Sequence, residues 1–272
     1  MPFGMCNALA SFQAMTNQIF RDFIDEGRLT IYIDNIIIHT KAGESLESHH
    51  KKVHKVLDRL EENDLYLCLS KCAFEQKETN FLGIIVSHET VSMDIKKLAN
   101  VADWQPPKDV RGVRRFLGFT GFYQHFIAGY SDIVRPLLEL TKKAATWHWG
   151  PEQSKAFDEL KTRMCTRPIL RQPNFNKRFF VQTDASNHGM GTILSQEGEE
   201  LADLNKETMP KLHPIASYSA TFTPMQQKYD IYEKELYAVV KSLEHWRPYL
   251  AWGKHQFVIL IDHANLTFWK HL

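Results

Sequence analysis

Apolar and polar positions are patterned most tightly at Thr30-Ile31-Tyr32-Ile33-Asp34-Asn35-Ile36-Ile37-Ile38-His39-Thr40. Two β-branched arms flank one polar pair. Each arm reads as a buried strand, and Asp34-Asn35 reads as the turn between them. Such a turn holds a carboxylate rigidly and pushes it into solvent, which suits an acid offered to a metal ion. An Asp-Asn turn without any chemistry gives the same pattern. Before this hairpin, Phe12, Met15, Ile19 and Phe23 recur at helical spacing and predict a helix from Ala8 to Phe23. After it, Leu46, Val53, Val56, Leu57 and Leu60 predict a long amphipathic helix from Glu44 to Asn63.

Leu65 to Leu69 and Phe81 to Val86 read as strands, with Gly83 marking a bulge or the close approach of another backbone. Helices follow at Asp94–Trp104, Val110–Phe126, Ser131–Lys143 and Pro151–Met164. From Phe179 the period changes to that of strands: Phe179–Asp184, Gly189–Gln196 and His213–Phe222, an antiparallel meander interrupted by the polar stretch 197–211. Thr223-Pro224-Met225-Gln226 reads as a capping box with proline in the first turn. It starts a helix whose stripe is Leu236, Val239, Val240, Leu243 and Trp246, and a last strand runs from Gln256 to Asp262.

Composition narrows the picture. The chain has 272 residues, 43% hydrophobic and 24% charged, enough to bury a core in two or three domains. No apolar run approaches the ~20 residues of a membrane span. Cys6, Cys68, Cys72 and Cys165 lack metal-ligand pairing and read as free thiols. His50 and His54 stand four apart on a helix, but no third ligand accompanies them, and a solvated face is the simpler reading. The net charge of +1 conceals a basic middle: residues 91–180 carry 16 Lys/Arg against 8 Asp/Glu. That stretch also holds Trp104, Phe116, Phe119, Phe122, Tyr123, Phe126, Trp147 and Trp149. Basic residues interleaved with aromatics suit a nucleic-acid backbone, and equally an ordinary basic face over an aromatic core.

Three acids close the chemical inventory. In a βββαβ unit the last strand lies beside the first, so Asp184 and Asp262 are expected side by side, with an acid from the helix above them. Glu233 and Glu235 flank the apolar stripe on opposite sides, and helical geometry does not choose between them. Clustered carboxylates repel unless a divalent cation neutralises them, so the set predicts a Mg²⁺ site.

These residues, in this order, resemble the reverse transcriptase and ribonuclease H region of a gypsy-type LTR retrotransposon polyprotein. The resemblance rests on Met1-Pro2-Phe3-Gly4 with Asn7-Ala8 and Phe12-Gln13, on Tyr32-Ile33-Asp34-Asn35, and on Phe81-Leu82-Gly83. It continues through Arg115-Phe116-Leu117-Gly118 with Tyr123 and Phe126-Ile127, then Thr183-Asp184-Ala185-Ser186, Glu233-Lys234-Glu235-Leu236 and Asp262-His263. It implies a mixed α+β fold: a partial reverse transcriptase palm over 1–90, a mostly helical thumb and connection over 91–168, and a ribonuclease H-like βββαβ domain over 169–272.

The resemblance also implies roles. Asp34 matches the first acid of the polymerase turn, a ligand of catalytic Mg²⁺, for which Mn²⁺ can stand in. Asn35 replaces the second acid and brings an amide oxygen without charge. Phe3, Gly4 and Tyr32 match the nucleotide pocket, and Gln13 a template contact. Leu82-Gly83 matches the hairpin that grips the primer. Arg111, Arg114 and Arg115 lie on the basic unit that would ride on the backbone of a template-primer or RNA/DNA hybrid. Glu235, rather than Glu233, matches the helix acid that joins Asp184 and Asp262.

The family's other polymerase Asp and the fingers have no counterpart in this sequence, nor does its fourth ribonuclease H acid. The expectation is therefore an incomplete polymerase that does not extend primers by itself. The remaining expected partners are the rest of the polyprotein, protease and integrase. The expected setting is the cytoplasm, within a virus-like particle, and the nucleus. The alternatives are a non-catalytic nucleic-acid-binding module, and a stand-alone ribonuclease H, against which Arg115 to Ile127 argue.

Overall fold

The structure, a computed structural model, describes residues 6–40, 43–143, 145–166, 169–198 and 211–261. Contacts divide the chain into two compact units, Met1–Gln76 and Lys77–Leu272.

The first unit contains α1 (Ala8–Ile19), α2 (Arg21–Asp25), the hairpin β1 (Leu29–Tyr32) and β2 (Asn35–Ile38), and α3 (Leu46–Glu62). The expected helix 8–23 breaks at Phe20, which turns inward and is wholly buried, while Met15 faces solvent. Phe20, Phe23, Leu29, Val56 and Leu60 form the core. Ser45 caps α3 by accepting from the Ser48 N–H at 3.2 Å. Beneath that end the buried Lys52 pairs with Glu44. Arg59 ties α3 back to α2: it donates to Asp22 at 2.6 Å and lies over the Phe23 ring. The hydrogen bond from Arg59 holds the Asp22 carboxyl below its ordinary range.

Residues 65–69 correct the reading of the sequence. They form no strand; Leu69–Lys71 is a single 3₁₀ turn, and Tyr66 is 91% exposed. An apolar run becomes a strand only when another strand supplies hydrogen bonds, and none pairs here.

The second unit opens with a meander of β3 (Glu78–Phe81), β4 (Ile84–Ser87) and β5 (Thr90–Met93). The stretch expected as one strand with a bulge at Gly83 is instead a hairpin turning at Leu82-Gly83. Then come α4 (Ile95–Ala102), α5 (Val110–Phe122), α6 (Tyr130–Glu139) and α7 (Pro151–Cys165). Asp94 and Asp109 cap α4 and α5, accepting from Lys96 N–H at 2.9 Å and Gly112 N–H at 2.6 Å. Pro107, behind that cap, meets the start of α5 at Gly112. The four helices share one core around Val113, Phe116, Leu137, Phe157 and Leu160. Phe116 meets Phe157 at 4.6 Å and the edge of Trp104 at 5.4 Å.

The short β6 (Leu170–Arg171) returns to pair with β5. The expected βββαβ order follows: β7 (Phe179–Ala185), β8 (Gly189–Glu197), β9 (Leu212–Thr221), α8 (Ile231–Leu250) and β10 (Val258–Leu260). The sheet order is β10-β7-β8-β9, antiparallel except for β10, which runs parallel to β7. Pro214 sits on the edge strand β9 at a register shift, where a missing N–H costs no ladder bond. Phe179, Val181, Leu194, Ile215 and Trp246 fill the space between sheet and α8. The sheet is also joined to the helical section. Ser131 of α6 donates its N–H to Ser219 Oγ at 2.9 Å. Gly189 lies so close that a Cβ there would stand 2.6 Å from Ala220 O and 3.3 Å from Ser131 Oγ.

Phe116→Ala would leave a cavity at the junction of α4, α5 and α7. Urea unfolding of the full chain should show the second unit destabilised by ~3–5 kcal/mol.

Candidate catalytic and nucleic-acid-binding sites

The β1–β2 turn falls at Ile33-Asp34, one residue earlier than the pattern suggested. Asn35 is already in β2, paired with Tyr32. Ile33 takes φ +56°, a region that a β-branched residue enters at a cost of ~1–3 kcal/mol. Gln13 of α1 meets this turn. Its side-chain oxygen accepts the Ile33 N–H at 2.6 Å, and its amide nitrogen donates to Ile31 O at 3.3 Å and Asn17 Oδ1 at 2.8 Å. Asp34 is exposed at the tip, and Asn35 donates weakly to its Oδ1 at 3.4 Å. Tyr32 is half exposed and lines, with Gln13, Asn17 and Arg21, an open depression of about 640 Å³. Gln13 therefore touches the hairpin backbone itself. Phe3 and Gly4 lie outside the described residues.

Leu82 and Gly83 form a second strained tip, with φ +51° and +87°. Tyr123, at the end of α5 and 2% exposed, donates its hydroxyl to Gly83 O at 2.9 Å. Burial, and then the charge of Asp94, push its phenol up, so it stays a donor. The Lys97 ammonium lies where a Gly83 side chain would begin. Neither Tyr123 nor Lys97 stood out in the sequence as part of this site. Their i,i+3 and i,i+4 spacing within helical stripes reads as core and as surface.

Arg111, Arg114 and Arg115 are exposed and line an open groove of about 1200 Å³ with Trp104, Pro107 and Lys108. Arg115 lies over the Trp104 ring at 5.5 Å, and Arg114 donates to Thr141 O at 3.1 Å, so two of the three guanidinium groups are already oriented by the fold.

At the start of α8 the structure separates the two glutamates. The Thr223…Gln226 box does close, with Thr223 N–H donating to Gln226 Oε1 at 2.9 Å, but it caps only a 3₁₀ turn, Gln226–Lys228. The helix proper begins at Ile231 under a second box. Asp230 accepts from the Glu233 N–H at 2.7 Å, and Glu233 Oε2 accepts from the Asp230 N–H at 3.1 Å. Glu233 thus serves the helix end. Glu235, two residues on, is 4% exposed and points the other way, on the face with Ala238, Ser242 and Trp246. Of the expected stripe Val239 and Trp246 are buried, Leu236 and Leu243 are half-buried, and Val240 is 46% exposed. Ala238 packs against Ala185 and Met190, so the first turns of α8 lie over the end of β7 that carries Asp184. Asp184 is exposed. β10 runs beside β7 with Leu260 next to Gln182, and Asp262 lies outside the described residues. Among the described residues no three His, Cys, Asp or Glu side chains converge as a metal site, the His50–His54 pair included. His50 instead meets Glu75 at 2.7 Å. Asp184 and Glu235 offer hard carboxylate oxygens, the donor chemistry that Mg²⁺ takes.

Comparison with known proteins agrees with this architecture. Residues 1–86 match the reverse transcriptase (RNA-dependent DNA polymerase) family, and residues 149–259 match the RNase H-like domain found in reverse transcriptase. The chain therefore carries a reverse transcriptase segment followed by an RNase H-like domain. Its homologues are retrotransposon polyproteins. It is 35% identical over 267 residues to the transposon Tf2-7 polyprotein of Schizosaccharomyces pombe, and 34% identical to the Tf2-3 polyprotein. Those alignments cover 98% of this chain and 19% of the relatives' length. Among solved structures, the foamy viral protease-reverse transcriptase in complex with double-stranded DNA shares the fold over 100% of this chain and 45% of that one. Its TM-score is 0.80 and its identity 22%. The same viral protein with an RNA/DNA hybrid gives 0.78 over 97% of this chain and 33% of that one.

Gly83→Ala would force a side chain into left-handed backbone and toward Lys97. Urea unfolding should register a loss of ~1–2 kcal/mol in the second unit.

Proposed function

We propose that this chain is the polymerase-turn to RNase H portion of a gypsy-type retrotransposon reverse transcriptase, acting on an RNA/DNA hybrid and cutting its RNA strand. The observation that carries this reading is the pairing of roles at α8: one glutamate spent on the cap, the other buried over the strand end that bears Asp184. Glu235 therefore belongs to the covered face of α8 and not to its cap.

Asp184, Glu235 and Asp262 would hold Mg²⁺, or Mn²⁺ in its place, and Asp34 with Asn35 would serve the polymerase side. Bound there, the metal supplies charge stabilisation at the phosphate and an activated water. The chain's own residues do the rest. Glu235 is fixed by the helix that Asp230 and Glu233 cap, so its carboxylate reaches the site without a conformational search. Asp184, exposed near the end of β7, would hold the metal from the solvent side, where the scissile phosphate would approach it. Arg111, Arg114 and Arg115 neutralise backbone phosphates and set the register of the duplex. Leu82-Gly83, clamped by Tyr123, would support the primer strand, and Tyr32 would serve the incoming nucleotide, a role that the resemblance also gives to Phe3 and Gly4. The division into palm (1–90), thumb and connection (91–168) and RNase H-like domain (169–272) belongs to this reading. So do the protease and integrase of the same polyprotein as partners, and a cytoplasmic particle with later access to the nucleus as setting.

Asn35 supports a further element: a polymerase turn with one formal charge holds metal less well than one with two, so the chain is expected to cleave hybrid without extending a primer by itself.

Cleavage of a hybrid with a labelled RNA strand tests the reading. Asp184→Asn and Glu235→Gln should each lower the Mg²⁺-dependent rate by about 100-fold or more. Glu233→Gln, which can still close its box, and Asp34→Asn should not. Equal rates in all four variants would overturn it. Hybrid binding measured against salt should lose about one unit of log–log slope in Arg115→Ala.

A further inference from the structure

We infer that Gln13 is the positioning residue of the Asp34 turn: its side-chain amide holds Ile33 in left-handed backbone and so fixes where the tip carboxylate is presented. The inference rests on the reading of Asp34 as a metal ligand only for its consequence. The clamp itself stands on geometry.

A two-residue turn leaves the N–H of its first residue outside the strand ladder. Here that residue is Ile33, a β-branched side chain at φ +56°. Left to itself such a turn relaxes, because isoleucine gains nothing from this conformation. Gln13 supplies what the turn lacks. Its oxygen accepts the Ile33 N–H at 2.6 Å, while its nitrogen donates to Ile31 O at 3.3 Å, so one planar amide holds two backbone groups on the β1 side of the bend. The amide is itself oriented by Asn17, one helical turn further along α1, whose Oδ1 accepts at 2.8 Å. The helix beneath is anchored by buried Thr16 and Phe20 against the same core as Leu29 of β1. The bend is thus held by a side chain on rigid support.

The arrangement demands glutamine. A glutamate accepts from Ile33 but cannot donate to Ile31 O, and a methionine fills the same volume with neither bond.

Amide hydrogen exchange in the purified chain reads the clamp directly. Gln13→Met should speed exchange of the Ile33 amide by about 3- to 10-fold, with Gln13→Glu between it and the parent. The β1–β2 amides of Thr30 and Ile37, a hydrogen-bonded pair of the ladder, should stay protected. In an Ile33→Gly background the strain is gone, and Gln13→Met should then change the position of the tip much less. That position is read from Mn²⁺-induced broadening around Asp34. Unchanged Ile33 exchange in Gln13→Met overturns the inference, as does an equal displacement of the tip by Gln13→Met in the parent and in the Ile33→Gly background. Faster Ile33 exchange in a chain whose Asp34 shows no Mn²⁺ broadening supports the clamp and overturns the metal reading of Asp34 instead.

Discussion

Two hairpin tips among the described residues are bent through residues that resist bending. Ile33 and Leu82 both occupy left-handed backbone, and each tip is held by a side chain from a helix outside the hairpin. Gln13 takes the Ile33 N–H in the first unit, and Tyr123 donates to Gly83 O in the second. A tight turn of glycine and asparagine would form unaided, but it would also be soft. A turn that carries strain stays in place only while its clamp does, and the clamp's own rigidity passes to the tip. In this way helices α1 and α5, each with its own buried core, define the positions of two exposed loops.

The RNase H-like half obeys a related economy of polar groups. The start of α8 needs acceptors for its free N–H groups, and a nearby sheet edge offers a place for carboxylates. Two acids two residues apart answer both needs because they point to different sides of the helix. Asp230 and Glu233 satisfy the backbone. Glu235 is left to the interior, above the strand that carries Asp184 one residue before its end. The same local rule that starts the helix therefore sorts the acids by role.

Much of this was legible in the sequence. The βββαβ order, the return of β10 beside β7 and the four helices between 94 and 165 follow from periodicity and chain direction. Misreadings arise where a local signal meets a tertiary condition. Leu65 to Leu69 is apolar throughout, like a buried strand, but finds no partner. Phe81 to Val86 is apolar throughout, and nothing local says that it folds at Leu82-Gly83, since leucine is a poor turn residue. The pattern sets the first turn at Asp34-Asn35, one residue late, for the same reason: Ile33 is the last residue that propensity would choose. Thr223-Pro224-Met225-Gln226 is a true capping box, but Asp230 begins a longer helix seven residues on. Gln13 was visible as a residue of interest, though its partner was not, because the bonds join positions about twenty residues apart through backbone atoms that carry no sequence label. Asp184 and Glu235 were legible as acids; that Glu233 is spent on a cap becomes visible only once the helix start is known.

The seam between α6 and the edge of the RNase H-like sheet has an evolutionary consequence. Ser131 donates to Ser219, and Gly189 leaves no room for a side chain against Ala220 and Ser131. The two regions are fitted to each other at the level of single atoms. A recombination event that joined this sheet to a foreign helical partner would keep Gly189 crowded against Ala220 but leave Ser219 with no N–H to receive. Exchange of either region alone would break this fit.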